Sequence, residues 1–211
     1  MAVSFDVFGT LVAADRPAAP WTAVAGSLAA RGVTVPDDWE TAYRQSHREY
    51  ERGREVPLDE HVRLALASRG IDVSEAVARR AVPDAFDGPI TRRDGASEAL
   101  AAAGDRGPVA VCSNCSVPGL VERTLARADL GPDSDLCPDV VVTSVGCGWR
   151  KPHAAIFEAT AEALDVPLSA LVHVGDDART DGGAGRCGAR SVLLEDVPLE
   201  ALATRLREGS L

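Results

Sequence analysis

Lysine is almost missing. The 211-residue chain contains one, Lys151, and the other 21 of its 22 basic residues are arginines. A step that needs a primary ammonium has a single candidate. Basic charge is scarce altogether, with 22 Lys and Arg against 32 Asp and Glu and a formal charge of −10. That balance argues against nucleic acid as a partner, because phosphate neutralisation needs basic patches. No apolar run approaches the roughly 18 residues of a membrane-spanning helix. The segment Met1–Asp6 has no basic n-region and no long apolar stretch, so no secretory signal is expected. The five cysteines are an odd number in a chain too long to need disulfide staples, which fits free thiols in a cytoplasmic protein. No internal repeat, low-complexity tract or heptad pattern is present, and the oligomeric state is left open. With 45% hydrophobic and 26% charged residues, the chain reads as an ordinary globular protein: one domain, or a core with a small insert.

The apolar spacing divides the chain into two patterns. Val3–Phe8 is a short apolar run with one Asp, closed by Gly9-Thr10, which predicts a buried strand and a turn. From about residue 20 to 87, spacings of three and four predict helices over Trp21–Arg31, Asp38–Arg52, Asp59–Arg69 and Ser74–Ala81. Beyond about residue 95, strands and helices alternate. Strands are predicted at Pro108–Cys112, Val140–Thr143, Leu171–Val174 and Ser191–Leu194. Helices are predicted at Gly95–Ala103, Pro118–Ala128, Pro152–Leu164, Asp181–Cys187 and Leu199–Arg207. Such alternation implies a doubly wound, Rossmann-like parallel sheet covered on both faces. The fold class is therefore α/β. The core is expected at residues 1–15 and 88–211, with an all-helical insert at 16–87.

In such a sheet, ligands bind beyond the carboxyl ends of the strands. The polar residues at those ends are few. Strand one ends in Asp6-Val7-Phe8-Gly9-Thr10, the next in Ser113-Asn114, and the loop after Val140–Thr143 reaches Lys151-Pro152. A fourth strand ends in Gly175-Asp176-Asp177, with Asp181 five residues past Asp176. One carboxylate, one hydroxyl, the only lysine and an acidic cluster thus meet at one edge. Taken in this order, the four segments resemble the motifs of the haloacid dehalogenase-like hydrolase superfamily across nearly the whole chain. The helical insert then corresponds to that family's cap.

The resemblance implies roles for these residues. Asp6 would be the nucleophile, forming an aspartyl intermediate that water hydrolyses. Thr10, Ser113, Asn114 and the backbone amides of the Gly9 turn would face the transferring phosphoryl or a substrate carboxylate. Lys151 would neutralise charge on nucleophile and substrate. Asp6, Asp176 and Asp181 would repel one another, and a hard divalent cation resolves the conflict. Mg²⁺ suits carboxylates, and the family adds the main-chain carbonyl two residues after the nucleophile, here Phe8.

Phe8 also departs from the phosphatase pattern. Phosphatases of the superfamily carry a second Asp there as general acid, and losing a general acid typically costs on the order of 10²–10⁴ in rate. An aromatic at this position resembles the 2-haloacid dehalogenase branch, whose halide needs no proton to leave. The acidic fourth motif points back to phosphatases. The expected function is Mg²⁺-dependent hydrolysis of a small phosphorylated metabolite. The alternatives are a metal-independent 2-haloacid dehalogenase and a weakly active or non-catalytic metabolite-binding member. The substrate would be a small anion: a phosphate ester, an acyl phosphate or a 2-haloacid.

Plainer roles stand beside these. Asp177 is expected to be a cap or solvated neighbour, His153 a helix-start residue and His173 a satisfied core histidine. Cys112-Ser113-Asn114-Cys115 has Cys-x-x-Cys spacing without a metal or redox context. Arg44, His47, Arg48, Tyr50, Arg52 and Arg54 form a basic cluster in an acidic chain. They read as a solvated helix face, or as a cap face holding an anion over Asp6.

Overall fold

A computed structural model describes residues 1–211. In chain order the elements are β1 (Ala2–Phe5), β2 (Val12–Ala14), α1 (Pro20–Ala29), α2 (Trp39–Arg44), α3 (Leu58–Ala67), α4 (Glu75–Asp84), β3 (Ile90–Arg92), α5 (Ala96–Gly104) and β4 (Val109–Ser113). They continue as α6 (Leu120–Arg127), β5 (Val140–Thr143), α7 (Ser144–Cys147), α8 (Ala154–Ala163), a 3₁₀ turn (Leu168–Ala170), β6 (Leu171–Gly175), α9 (Gly183–Arg186), β7 (Arg190–Leu193) and α10 (Leu199–Glu208).

Five strands form one sheet in the order β5-β4-β1-β6-β7, and every pair is parallel. β1 is central, so its carboxyl end, and Asp6 just beyond it, falls mid-edge. β1 is buried along its whole length, because helices cover both faces and leave no face for solvent. Val3, Phe5, Val111, Val172 and Val174 join α5, α6 and α10 in the main core. Ala2, Ala110 and Leu171, with Cys112 nearby, meet α8 on the other face. No helix is long and apolar enough to cross a membrane.

Helices α1–α4 form the insert, and the chain enters and leaves it through the antiparallel pair β2–β3. That two-stranded ribbon, three residues on each side, differs from the sequence reading. Such short runs carry no periodicity, and the strands pair across a gap of 75 residues or more. α7 likewise has no counterpart among the predicted helices.

The helix predicted over Asp38–Arg52 stops at Arg44, and Gln45 is extended at ψ 142°. The reason is tertiary. His47 Nε2 lies 2.7 Å from the last-turn carbonyl of Ala42, and the following segment spans to the core. There Arg54 forms an antiparallel bridge with Trp149. Arg150 N donates to Gly53 O at 2.9 Å, Glu55 N to Gly148 O at 3.0 Å, and Leu58 N to Ser116 O at 2.7 Å. The Glu55 carboxylate is buried and accepts from Ser144 Oγ. Five of the six residues of the basic cluster therefore sit on this strap and not on a helix face. Arg44 stacks over Trp21 at 4.0 Å and pairs with Glu40, Arg48 pairs with Glu60, and Arg54 lies 4.7 Å over Trp149.

Candidate active site

The site lies where β1, β4 and β6 end. β1 delivers Asp6, β4 delivers Ser113 and Asn114, and β6 delivers Asp176, while the turn after β6 folds Asp181 back under the edge. Two glycines permit this crowding. Gly9 has φ +90°, and a Cβ there would overlap the Asp176 carboxylate. A Cβ on Gly175 would overlap Asp181.

Lys151 Nζ sits at the centre. It donates to Asp181 Oδ1 at 2.6 Å and to Cys112 O at 2.9 Å, and pairs with Asp6 Oδ1 at 2.9 Å. An ammonium has three protons: two make hydrogen bonds, to Asp181 and Cys112 O, and the group faces Asp6 as an ion pair. Burial alone would disfavour the charge, but Asp6, ahead of Asp181, outweighs it and holds the ammonium above its ordinary value. Asn114 fixes the lysine from behind. Its Nδ2 donates to Lys151 O at 3.0 Å, and its Oδ1 accepts from Lys151 N at 2.7 Å.

Asp181 is 1% exposed and fully engaged. Oδ1 takes Lys151 and His173 Nε2 (3.0 Å), and Oδ2 takes the Asp177 amide (3.0 Å). Burial pushes its carboxyl up, yet the His173 hydrogen bond and the Lys151 charge prevail and hold it well below the usual carboxylate range. Asp176 keeps an exposed edge. Its partial burial, followed by the charges of Asp6 and Asp181, raises its carboxyl.

The ligand atoms of Asp6, Asp176 and Asp181 all lie within 4.8 Å of one another. Three carboxylates against one ammonium leave about two negative charges, which one divalent cation cancels. The donors are hard oxygens, and the Phe8 carbonyl accepts no hydrogen bond. This donor set fits Mg²⁺. Asp6, Asp176 and the Phe8 carbonyl have free lone pairs to offer it, whereas both oxygens of Asp181 already carry protein donors.

Two expectations are corrected. Thr10 is fully buried and its Oγ1 donates to Asp176 Oδ1 at 3.3 Å, so it orients a carboxylate before any substrate. The amides of Gly9 and Thr10 are spent inside the turn, on Val12 O and Val7 O. The amides of Val7, Phe8 and Asn114 make no hydrogen bond and are donors available to an anion.

Ser113 Oγ is buried without any partner. A buried hydroxyl left unsatisfied costs about 1–3 kcal/mol, so a ligand oxygen is the natural acceptor. Ser113→Ala is therefore expected to leave thermal stability equal or higher while weakening substrate binding roughly tenfold, as the loss of one hydrogen bond to a charged group implies. A melting curve beside KM checks both signs, and a clear fall in melting temperature would contradict it.

The plainer expectations fare well. His153 caps α8 by accepting from Ala155 N, Asp177 binds Arg179, and all five cysteines are free. Burial pushes the Cys112 and Cys115 thiols up to about 11, so neither is a nucleophile at neutral pH.

A cavity of about 170 Å³ adjoins the site, lined by Phe8, Arg16, Asn114, Ser116 and Arg150 among others. The Arg16 guanidinium lies 5.1 Å from the Phe8 ring centroid and has no carboxylate partner. Nothing in the stretch Ala13-Ala14-Asp15-Arg16 marks Arg16 as a site residue, since it is one arginine among 21.

Over residues 1–188 the sequence matches the family model described as haloacid dehalogenase-like hydrolase. No curated protein matches it. Among solved structures it is similar to a mutant of CbbY from Rhodobacter sphaeroides in complex with xylulose-(1,5)bisphosphate. The identity is 25%, over 91% of this chain and 84% of that one, with a TM-score of 0.59. A 2-haloacid dehalogenase from Pseudomonas syringae shares the fold at 22% identity, 91% and 85% coverage and a TM-score of 0.65. A predicted phosphoglycolate phosphatase from Haemophilus somnus shares it at 16% identity, 91% and 84% coverage and a TM-score of 0.54.

Proposed function

The chain belongs to the haloacid dehalogenase-like hydrolase family, and from that premise we propose that it hydrolyses a small phosphorylated metabolite through Asp6 with Mg²⁺ as cofactor. The observation that carries this reading is the convergence of Asp6, Asp176 and Asp181 around a single ammonium. A halide-displacing site has no use for two uncompensated negative charges. The bisphosphate held by the CbbY relative agrees with a phosphorylated substrate.

Asp6 Oδ1 is tied to Lys151, which leaves Oδ2 to attack phosphorus. The bond to the leaving oxygen breaks, and the phosphoryl group stays on Asp6 as an acyl phosphate. Water then attacks that phosphorus and returns the carboxylate. Lys151 offsets charge on the nucleophile throughout. Ser113 Oγ and the amides of Val7, Phe8 and Asn114 receive the phosphoryl oxygens. When bound, Mg²⁺ supplies charge neutralisation between the carboxylates and the phosphoryl group. Residues 16–87 act as a cap, and the cavity of about 170 Å³ beside Phe8 suits a substrate of a few carbons. Arg16 and Arg150 give that cavity a preference for a second anionic group.

Phe8 cannot protonate a leaving group, so acyl phosphates and anhydrides should turn over faster than alkyl esters. Phe8→Asp is expected to raise alkyl phosphate hydrolysis by about 10²-fold, the lower end of a general-acid contribution, because Arg16 stands where it would pair with the new carboxylate. Phosphate release from an alkyl phosphate panel measures this; an unchanged rate would mean that another group already supplies the proton.

A second reading rests on the same Phe8. With Arg16 over its ring as a carboxylate partner, Asp6 would displace halide from a 2-haloacid to form an ester at Cα. Phosphate and halide release, assayed together with Mg²⁺ and with EDTA, decide between them. Mg²⁺-dependent phosphate release supports the phosphatase. EDTA-resistant halide release would replace it. Neither product would favour the metabolite-binding alternative.

A further inference from the structure

Behind the site, two buried polar residues that the chemistry above does not use join a line of contacts that reaches Asp6. Ser4 and His173 are register partners on β1 and β6, so their side chains leave the sheet on the same face. Ser4 Oγ lies 2.9 Å from His173 Nδ1, and His173 Nε2 lies 3.0 Å from Asp181 Oδ1. Both residues are fully buried, and the Phe157 ring packs edge-on at 5.2 Å from the imidazole. Asp181 Oδ1 also takes Lys151 Nζ, which reaches Asp6. The line is continuous from Ser4 through His173, Asp181 and Lys151 to Asp6.

The donors along it have a forced direction. A carboxylate only accepts, so His173 Nε2 must carry the proton that Asp181 receives. Nδ1 of the neutral ring is then the acceptor of the Ser4 hydroxyl. Asp181 is thereby held by donors on three sides: Lys151, His173 and the Asp177 amide. Remove the imidazole and Oδ1 retains only the Lys151 ammonium. A core position between two strands is ordinarily filled by an aliphatic side chain at no polar cost. A histidine there, with both nitrogens engaged, is a costly choice unless Asp181 must be aimed.

We propose that His173 is a positioning residue for the hydrolytic reaction: with its tautomer fixed by the Asp181 carboxylate and its Nδ1 satisfied by Ser4, it aims Asp181, which sets Lys151 against Asp6. The inference rests on the proposed function for its kinetic consequence, though not for the contact itself.

Three variants test it. Gln can place an amide N–H near the Nε2 position, Asn is too short to reach Asp181, and Leu has no donor. Outer-shell partners of this kind typically contribute 10–100-fold in activity or metal affinity. His173→Leu and His173→Asn are therefore expected to lose about 10–100-fold in kcat with KM within a few-fold, and His173→Gln to recover most of it. Calorimetric titration with Mg²⁺ should show weakened binding in the Leu and Asn variants and near wild-type binding in the Gln variant. A merely structural histidine predicts another pattern: activity per folded molecule unchanged in all three, with Gln no better than Asn. That pattern would overturn the proposal. Nitrogen-15 spectra of the imidazoles are a readout free of turnover, and the chain has only four histidines to assign. His173 is expected as the Nε2–H tautomer, and an Nδ1–H tautomer would refute the contact. If the wild type released neither phosphate nor halide, the functional reading would fall while the spectra still decided the contact.

Discussion

Asp6→Asn is expected to abolish turnover, by a factor on the order of 10⁴–10⁶, the range seen when a covalent nucleophile is removed. The amide has the shape of the carboxylate and little nucleophilicity. Its effect on folding should be small. Asp6 is one of three carboxylates around one ammonium, and Lys151 retains Asp181 at 2.6 Å and Cys112 O at 2.9 Å in the variant. Removing a charge from that cluster also relieves repulsion on Asp176, whose carboxyl burial and Asp6 hold above its usual value. Mg²⁺ affinity should fall, because one of the anionic donors has gone. The measurement is phosphate release with matched melting curves. Residual activity above about 1% of wild type would remove Asp6 from the role of nucleophile, whatever the substrate.

Lys151→Met should show the largest effect on stability. The lysine side chain is 2% exposed, and its partners Asp6 and Asp181 are 11% and 1% exposed. Breaking a buried pair by removing one partner typically costs about 3–5 kcal/mol, because the remaining charge is left uncompensated. For a chain of this size that corresponds to a fall of roughly 6–20 °C in melting temperature. Met fills a similar volume, so the loss is electrostatic and not a cavity. Lys151→Arg should not restore activity, since a planar fork does not reproduce a compact ammonium donating in three directions.

The pH dependence of that variant should invert. In the wild type, Asp181 is held below its unfolded value of 3.8. Its contribution is present above that value and is lost as pH falls through the depressed folded one. Lys151 is held above its unfolded value of 10.5, so its contribution is full below 10.5 and is lost as pH rises through the raised folded value. The wild type should therefore be flat with respect to this pair from about pH 5 to 9 and weaken in acid. Without the ammonium, Asp181 loses a charge that lowers its carboxyl, and the variant should gain stability as pH falls from about 7 to 5. Melting temperatures of both proteins across that window give the answer. A variant that follows the wild-type slope would mean that Lys151 does not neutralise this carboxylate.

Much of the fold was legible because burial leaves a local imprint. β5 falls on Val140–Thr143 as read from its apolar run, and α8 and α10 lie within a residue or two of their predicted bounds. The insert was visible because its helices repeat at three and four residues without strands between them. What failed was decided at a distance. The helix predicted through Arg52 ends at Arg44 because the core edge at Gly148–Arg150 offers Gly53–Glu55 backbone partners, and no pattern within residues 38–52 records those partners. The ribbon of β2 and β3 was hidden for the same reason.

The site divides along the same line. Which chemistry is available can be read along the chain: a carboxylate after the first strand, a lone lysine, a hydroxyl and two spaced carboxylates, each following an apolar run. Apolar periodicity places strand ends, and a parallel sheet brings strand ends together, so that much follows from local pattern and topology. The contacts each group makes there come from packing across the fold. Thr10 faces Asp176, Asn114 clamps the Lys151 backbone, Ser113 is left without a partner, and His173 reaches Asp181 while Ser4 holds it from behind. These are contacts of a few ångströms between residues as many as 169 apart in the chain. A hydrogen bond depends on side-chain position to within tenths of an ångström, and that precision is set by how the layers pack and not by the spacing of residues along any one of them.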